Sequence, residues 1–431
     1  MTSEVVLMNN KAVAVAADSV VTVAVDGVPR KTFTGVEKLF EVSKNQPVAM
    51  MIYSNAEIMG LPWKTVITAY KQQAKNPAFK SVEEYADDFF KFIDKSGKLF
   101  PEKLQREQYA QMLRSLIHTI ESRANSVRGF VEGDDSDDSI ASNDPDSRIS
   151  IAVGQIYDRV TLDDWDQPRE NLECFPPNYD DTIRKKYKDE IDDAIGGFLQ
   201  RHNLSDEAAD KAWELPVLII TKHYFPLAWP YSGIVFAGFG KGQVYPELCS
   251  YEVSNVIGNV LKRGKHIFKQ LSHDEPVVIQ PFAQDRMIRT LLYGIDPYLE
   301  SHIIYKTFEL VPRLVDHVLS AIPDLSEEQM EMVLTALQDE DVGETINDFF
   351  NSIFQHQAVH HMVPIYSAIQ ALPEQELANT AESLVNLNSF QQRVSLEIET
   401  IGGEIDVALM SPSDGFVWVK HPKHKPKAIV G

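Results

Sequence analysis

Cysteine is scarce in this chain: among 431 residues there are only Cys174 and Cys249. Two cysteines cannot form the disulfide framework that stabilises small secreted domains, and neither stands at a spacing typical of metal sites. We therefore expect two reduced, buried thiols in a reducing compartment, with no metal and no cofactor.

Basic residues and long apolar runs are also in short supply. Lysine and arginine total 41 against 63 aspartates and glutamates, a net charge of -22 that would repel a nucleic-acid backbone. No stretch approaches the 18 or so uninterrupted apolar residues of a transmembrane helix. The N-terminus also lacks the basic and apolar regions of a secretory signal. We expect a cytoplasmic protein with neither nucleic acid nor membrane as a partner.

Apolar residues are plentiful, at 44% of the chain, so a sizeable core can form. The first 55 residues contain five apolar runs that we interpret as strands. These runs are rich in valine and alanine and show little polar alternation, which is typical of strands buried on both faces. The runs are residues 5–8, 12–17, 20–25, 39–42 and 48–53.

Helical periodicity begins near Ala56 and dominates residues 76–214. A second block of strands is predicted at residues 215–221, 233–238, 248–253 and 275–280. Helices follow over residues 284–293 and 299–390, and further strands close the chain. Because strands and helices form blocks and do not alternate one by one, the pattern favours an α+β layered fold over a doubly wound parallel sheet.

The N-terminal residues suggest a catalytic group. Met1 precedes Thr2, and methionine before a small residue is generally removed, which would leave a free α-amine beside the Thr2 hydroxyl. An α-amine has a pKa near 8, so part of it is neutral at pH 7 and can accept a proton. One residue would then supply both nucleophile and base.

Two charged residues downstream strengthen this interpretation. Asp18 ends the run of small residues Val13–Ala17, where an unpaired carboxylate would be costly. Lys38 opens a later apolar strand, residues 39–42, in the sequence Glu37-Lys38-Leu39. A lysine held near a hydroxyl would lower the hydroxyl pKa. We predict that the Asp18 carboxylate and the Lys38 ammonium lie within about 4 Å of each other. A purely structural ion pair at a sheet edge is the alternative.

The stretch from Thr2 to about Gln73 resembles the start of proteasome β-type subunits, which are N-terminal-nucleophile (Ntn) hydrolases. That family begins with threonine, has an Ala-Asp-Ser motif sixteen residues later, as at Ala17–Ser19 here, and has a catalytic lysine in a motif like that around Lys38. The resemblance implies a four-layer αββα sandwich. It also implies that a backbone N–H at the turn after strand 48–53 stabilises the oxyanion, and Ser54 matches that position best.

The resemblance becomes weaker towards the C-terminus. The family has a supporting serine where this chain has Pro281–Gln284. Glu399-Thr400-Ile401-Gly402-Gly403 resembles the family's Asp-x-x-Ser-Gly-Gly but is one residue short, so Glu399 and Thr400 would replace the supporting acid and hydroxyl. We predict a single Ntn-type domain over 1–431. Its core comprises residues 1–75, 215–298 and 391–422, and its helical insertions are residues 76–214 and 299–390.

Three functions stay open on the sequence alone. The resemblance implies a threonine-type peptidase that forms an acyl-enzyme on Thr2 and cleaves peptides or proteins. A catalytically silent, proteasome-like structural or binding subunit is the second possibility, and an amidase acting on a small-molecule amide is the third. The resemblance also implies a homo-oligomer, whereas the sequence does not address an ATPase unfoldase as partner. His356 and His360 share the spacing of zinc ligands, but no glutamate occupies the zincin position.

Overall fold

The computed structural model describes residues 2–25, 28–74, 78–127, 144–163, 166–226, 229–321, 340–395 and 402–421, with 326, 329 and 332 singly. These residues fall into two compact units. The first unit comprises Met1–Val23, Pro29–Val36 and Leu271–Gly431, and the second comprises Ala24–Val28 and Glu37–Gln270. Neither unit is a continuous stretch of sequence.

The strands are numbered along the chain. They are β1 Ser3–Asn9, β2 Val13–Asp18, β3 Val21–Val25, β4 Val28–Phe33, β5 Leu39–Glu41, β6 Val48–Ser54, β7 Glu57–Ile58, β8 Leu61–Pro62, β9 Ser232–Gly238, β10 Glu247–Ile257, β11 Val260–Gln270, β12 Val277–Ala283, β13 Ile405–Ser411 and β14 Gly415–Lys420.

The helices are numbered in the same way. They are α1 Trp63–Gln73, α2 Val82–Asp94, α3 Glu102–Val127, α4 Pro145–Thr161, α5 Tyr179–Lys186, α6 Lys188–Ile191, α7 Gly197–Arg201, α8 Asp206–Thr221, α9 Arg286–Tyr293, α10 Pro297–Ala321, α11 Glu340–Gln357, α12 Val363–Ala371 and α13 Glu374–Val394. Two π-helical turns, Asp192–Gly196 and Ala358–Met362, interrupt helical runs. No helix among the described residues is both long and apolar enough to cross a membrane.

The first unit is built on a five-stranded antiparallel sheet in the order β12-β1-β2-β13-β14. Strand β1 lies inside this sheet, between β2 and β12. Alternate residues of β1, including Val5 and Leu7, pack in one apolar cluster with Leu377 and Val385 of α13. Every residue of β1 and β2 is buried, so both faces of these strands are excluded from solvent, as their apolar sequences predict.

The second unit contains a five-stranded antiparallel sheet in the order β11-β10-β9-β6-β5. Helices α1 and α2 pack on one face, where Trp63 and Phe89 meet Phe236 of β9. Helix α2 begins at its N-cap Ser81, whose side chain accepts a hydrogen bond from the Glu84 N–H. A separate apolar cluster joins α3, α4 and α8.

The α+β class predicted from the sequence is confirmed, because helices and antiparallel sheets form the described chain. One predicted strand is wrong: residues 215–221 form the end of α8, which begins after its N-cap Ser205. The run Leu215-Pro216-Val217 and the β-branched residues after it resemble a buried strand because this part of the helix is almost entirely buried. The four-layer arrangement and the single-domain description remain predictions.

Candidate active site

Thr2 lies at the start of β1 and is almost completely buried, with 2% of its surface exposed. Its carbonyl accepts a hydrogen bond from the Gln284 N–H, 3.0 Å away, which continues the β1–β12 ladder by one residue. Its hydroxyl donates to Oε2 of Glu4 at 3.0 Å. The nucleophile predicted from the sequence is therefore held by an ordered strand, and its hydroxyl has a carboxylate partner.

Asp18 ends β2 beside the start of β1. Its Oδ1 accepts from the Ser3 N–H at 3.2 Å, and its Oδ2 accepts from the Gly402 N–H at 3.1 Å and the Val20 N–H at 3.4 Å. Hydrogen bonds from backbone amides to a carboxylate are strengthened by its charge. Asp18 thus joins the first residues of β1 to the loop before β13.

The loop before β13 depends on glycine. Gly403 has φ of +74°, and a Cβ there would lie 2.6 Å from the Ser19 hydroxyl oxygen, so no side chain fits. Ser19 is buried, and its hydroxyl has no hydrogen-bond partner among the described residues. Glu399 and Thr400, the predicted supporting acid and hydroxyl, lie outside the described residues.

An amide network supports the other side of the Thr2 backbone. Asn388 of α13 donates from Nδ2 to both the Ser3 hydroxyl and the Gln284 carbonyl, each at 2.8 Å. One turn later, Gln392 donates to Oε1 of Gln284 at 2.7 Å. The segment Pro281–Gln284, where the resemblance implies a serine, therefore contributes backbone and amide groups, and no serine hydroxyl.

Lys38 is 3% exposed and immediately precedes β5 in the second unit. Its carbonyl accepts from the Ile52 N–H at 2.9 Å, which fixes its backbone against β6. Lysine is seldom buried to this degree unless its ammonium group is paired. The sequence predicts Asp18 as the partner, and that ion pair remains a prediction.

Ser54 ends β6, also in the second unit, and has φ of +68°, a left-handed conformation that is uncommon outside glycine. Successive backbone N–H groups of a strand point to opposite sides, so the N–H groups of Ile52 and Ser54 point to the same side. The Ile52 N–H donates to the Lys38 carbonyl just before β5, and the Ser54 N–H therefore lies beyond the end of β5.

The Ser54 side chain also contacts the Tyr231 phenol. Burial raises the pKa of this phenol, Glu252 raises it further, and the hydrogen bond with the Ser54 side chain lowers it.

The structure therefore groups the predicted site residues in two pairs: Thr2 with Asp18 in the first unit, and Lys38 with Ser54 in the second. Sequence reasoning missed Glu4, Asn388 and Gln392. Glu4 could have been noticed, because it is the one charged residue in the strand sequence SEVVLMN. The two amides on α13 had no such signal, since asparagine and glutamine are ordinary helix-surface residues.

The described part of the chain contains no cluster of three or more histidine, cysteine, aspartate or glutamate side chains able to hold a metal ion. The His356 and His360 rings lie 4.3 Å apart, centroid to centroid, and both residues are exposed. The geometry that remains for chemistry is that of a hydroxyl, two carboxylates and backbone amides.

Comparisons with known proteins add little to this geometry. No family model matches the chain, and no curated protein matches it. A search of solved structures found the Anbu (Gly-1) mutant from Hyphomicrobium sp. strain MC1, which is 10% identical. The alignment covers 97% of this chain and 85% of that one, with a TM-score of 0.27. A match at that score carries no argument about function.

Proposed function

We propose that this protein is a threonine-type N-terminal-nucleophile hydrolase that cleaves peptide bonds through an acyl-enzyme on Thr2. The observation that carries the proposal is the hydroxyl of Thr2, buried at the head of an inner strand and hydrogen-bonded to a carboxylate at 3.0 Å. A hydroxyl serves as a nucleophile when it is held in one position beside a proton acceptor. An incidental terminal threonine needs neither the burial nor the acceptor.

In the proposed mechanism, Met1 is removed and the Thr2 hydroxyl attacks the substrate carbonyl. The resemblance gives the role of base to the Thr2 α-amine, directly or through a water. Lys38 lowers the pKa of the hydroxyl, Asp18 orients Lys38, and the Ser54 N–H stabilises the oxyanion. Water then hydrolyses the ester on Thr2. Glu399 and Thr400 are proposed as the supporting acid and hydroxyl.

This proposal includes the four-layer αββα arrangement and a homo-oligomeric state. Strands β1, β2 and β6 support the layered arrangement because their residues are buried on both faces, apart from the exposed Ser54. The substrate is a peptide or protein. An unfoldase partner is not part of the proposal.

The test combines intact mass with hydrolysis of a fluorogenic peptide library. We expect the active protein to lack Met1 and Thr2→Ala to lose all activity. The variant should stay folded and lose about 1–3 kcal/mol of stability, because the buried Glu4 carboxylate loses one hydrogen bond. Thr2→Ser, which keeps a hydroxyl, is the matched control and should retain activity, whereas Lys38→Ala should lose at least about 100-fold. Activity with Met1 fully retained, or in Thr2→Ala, would contradict the mechanism. A folded wild type that hydrolyses nothing would favour the silent subunit.

A further inference from the structure

Glu4 is a charged residue in an otherwise uncharged, fully buried strand. None of its surface is exposed. Its cross-strand neighbours are Ala17 on β2 and Phe282 on β12, neither of which carries a charge. The Thr2 hydroxyl, in contrast, does contact the Glu4 carboxylate.

The side chain of Glu4 shares a face of β1 with that of Thr2. Val5 and Leu7 pack on the helix side of the sheet, and side chains alternate along a strand, so Thr2 and Glu4 both lie on the opposite side. This arrangement brings Oε2 of Glu4 to 3.0 Å from the Thr2 hydroxyl oxygen. That distance is within the hydrogen-bond reach required of a general base.

Burying a carboxylate has a substantial free-energy cost. A carboxylate oxygen that accepts a hydrogen bond from a hydroxyl already lies within reach of the proton of that hydroxyl. A buried carboxylate in contact with a hydroxyl is thus suited to take the hydroxyl proton during attack.

We propose that Glu4, in place of the Thr2 α-amine, is the general base that activates Thr2, an assignment that otherwise rests on the proposed function. As Thr2 Oγ1 forms a bond to the substrate carbonyl carbon, its proton passes to Oε2 of Glu4. The oxyanion then collapses, the C–N bond breaks, and Glu4 returns the proton to the leaving amine. In the second half, water attacks the ester carbon, gives its proton to Glu4, and the proton moves to Thr2 Oγ1 as the ester bond breaks.

The experiment uses Glu4→Gln in the full chain. Glutamine keeps the size of the side chain and can accept the same hydrogen bond, but it cannot take the proton. Two rates are measured: hydrolysis of the best fluorogenic peptide, and acylation of Thr2 by a β-lactone, followed by intact mass. In acylation the lactone ring C–O bond breaks and the hydroxyl proton passes to the released alkoxide.

The matched control is Asp406→Asn. Asp406 is another buried acid of the same sheet, 4% exposed, and pairs with His421 at 2.9 Å. This control measures the cost of neutralising a buried acid two strands from Glu4 in the same sheet. Thermal unfolding of both variants identifies any loss that comes from misfolding, and Glu4→Asp, which restores a carboxylate on a shorter side chain, should recover part of the rate.

We expect Glu4→Gln to slow both rates at least about 100-fold while it stays folded, because general-base catalysis typically contributes 10²–10⁴-fold. Asp406→Asn should change neither rate by more than about threefold. Near wild-type rates in Glu4→Gln, with Thr2→Ala inactive, would overturn the role of Glu4 and leave the proposed function standing. Absence of both hydrolysis and acylation in wild-type protein would overturn both. If Glu4→Gln unfolds, a Glu4→Asp rate equal to wild type also counts against the assignment.

Discussion

At the scale of single residues, Gly233 shows how closely the second sheet is packed. It lies directly opposite Tyr53 in the β6–β9 pair, and the tyrosine ring covers it. A Cβ at Gly233 would stand 1.9 Å from the ring, so the ring would have to move to admit it. Tyr53 also precedes Ser54, so the ring helps to fix the end of the strand that carries the proposed oxyanion donor.

We therefore expect Gly233→Ala to lower the free energy of unfolding by about 1–3 kcal/mol, the usual cost of overpacking a core. Urea unfolding measures the change. Gly97→Ala, at a site with open space around it, is the control and should be close to neutral. Combining Gly233→Ala with Tyr53→Leu should recover part of the loss. If Gly233→Ala lowers the free energy of unfolding equally in proteins with tyrosine and with leucine at position 53, the tyrosine ring is not the cause of the loss.

The sequence predicts Thr2 and Asp18 as site residues because their types and spacing resemble a known motif, and the structure places Asp18 beside the start of β1. It could not identify the partners of Asp18, which are backbone amides of Ser3, Val20 and Gly402. Such contacts depend on register and loop geometry, and any residue other than proline can supply them.

At the scale of elements, strand β11 was not predicted from the sequence. It lacks an alternating apolar pattern and carries the basic residues Lys262, Arg263, Lys265 and His266. Each of the first three cations has a partner. Arg263 contacts Asp94 at 3.1 Å, Lys265 pairs with Glu83, and Lys262 donates to the carbonyls of Ile219 and Tyr224. The strand forms because other elements supply the acceptors, and these are not visible locally.

Lys262 binds the C-terminal end of α8. Its Nζ lies 2.7 Å from the carbonyl oxygen of Ile219, which is among the last carbonyls of the helix and has no partner within it. The same Nζ lies 4.4 Å from the centroid of the Phe225 ring. Burial lowers the pKa of Lys262 to about 7, while Cys174 and Glu252 oppose part of this decrease. The unfolded chain, with its ordinary lysine pKa near 10.4, therefore holds a proton above pH 7 that the folded chain has lost.

This difference predicts a pH dependence of stability. Stability rises with pH wherever the unfolded state binds more protons, so the wild type should gain stability relative to Lys262→Met from pH 7 upward. The expected gain is about 2 kcal/mol by pH 9, with a constant difference below pH 6. Urea unfolding of both proteins at pH 5, 6, 7, 8 and 9 measures it. A difference that does not vary with pH would mean that the carbonyl groups keep Lys262 charged.

At the scale of the whole molecule, the first unit exposes many apolar side chains on α10 and α11. Tyr305, Phe308, Leu310 and Leu314 are each more than half exposed, and Phe349 of α11 is half exposed. Phe308 of α10 also stacks on Phe350 of α11, so apolar side chains of the two helices meet. Large exposed apolar patches often mark an interaction site. The surface agrees with the self-association that the resemblance implies.

We predict that the protein forms oligomers at micromolar concentration, measured by light scattering. Replacing Phe308 and Leu314 together with aspartate should lower the mass towards that of a monomer, because charges would enter the apolar contact. Gln375→Asp adds a charge at an exposed position of α13 and should leave the mass unchanged. A monomeric wild type would contradict the prediction, and an unchanged mass in the double variant would place the contact on another surface.

The order of blocks along the sequence was sufficient to predict the fold class, because hydrophobic periodicity depends on local burial. It was not sufficient to predict how distant segments share a sheet. The first sheet joins residues 3–18 to residues 277–283 and 405–420, and pairing over such separations leaves no periodic signal. The division into two units likewise follows from contacts between segments far apart in sequence.

The position of β1 between β2 and β12 has a consequence for the timing of synthesis. Roughly 270 residues separate Asn9 from Val277, its partner on β12. A ribosome adds about 5–20 residues per second, so β1 waits roughly 15–55 s for that neighbour. Gln284, whose N–H donates to the Thr2 carbonyl, is synthesised equally late. The proposed nucleophile therefore acquires its final contacts only after most of the polypeptide has emerged. On the proposed function, this delay keeps the nascent chain inactive while its own unfolded segments are the nearest substrate.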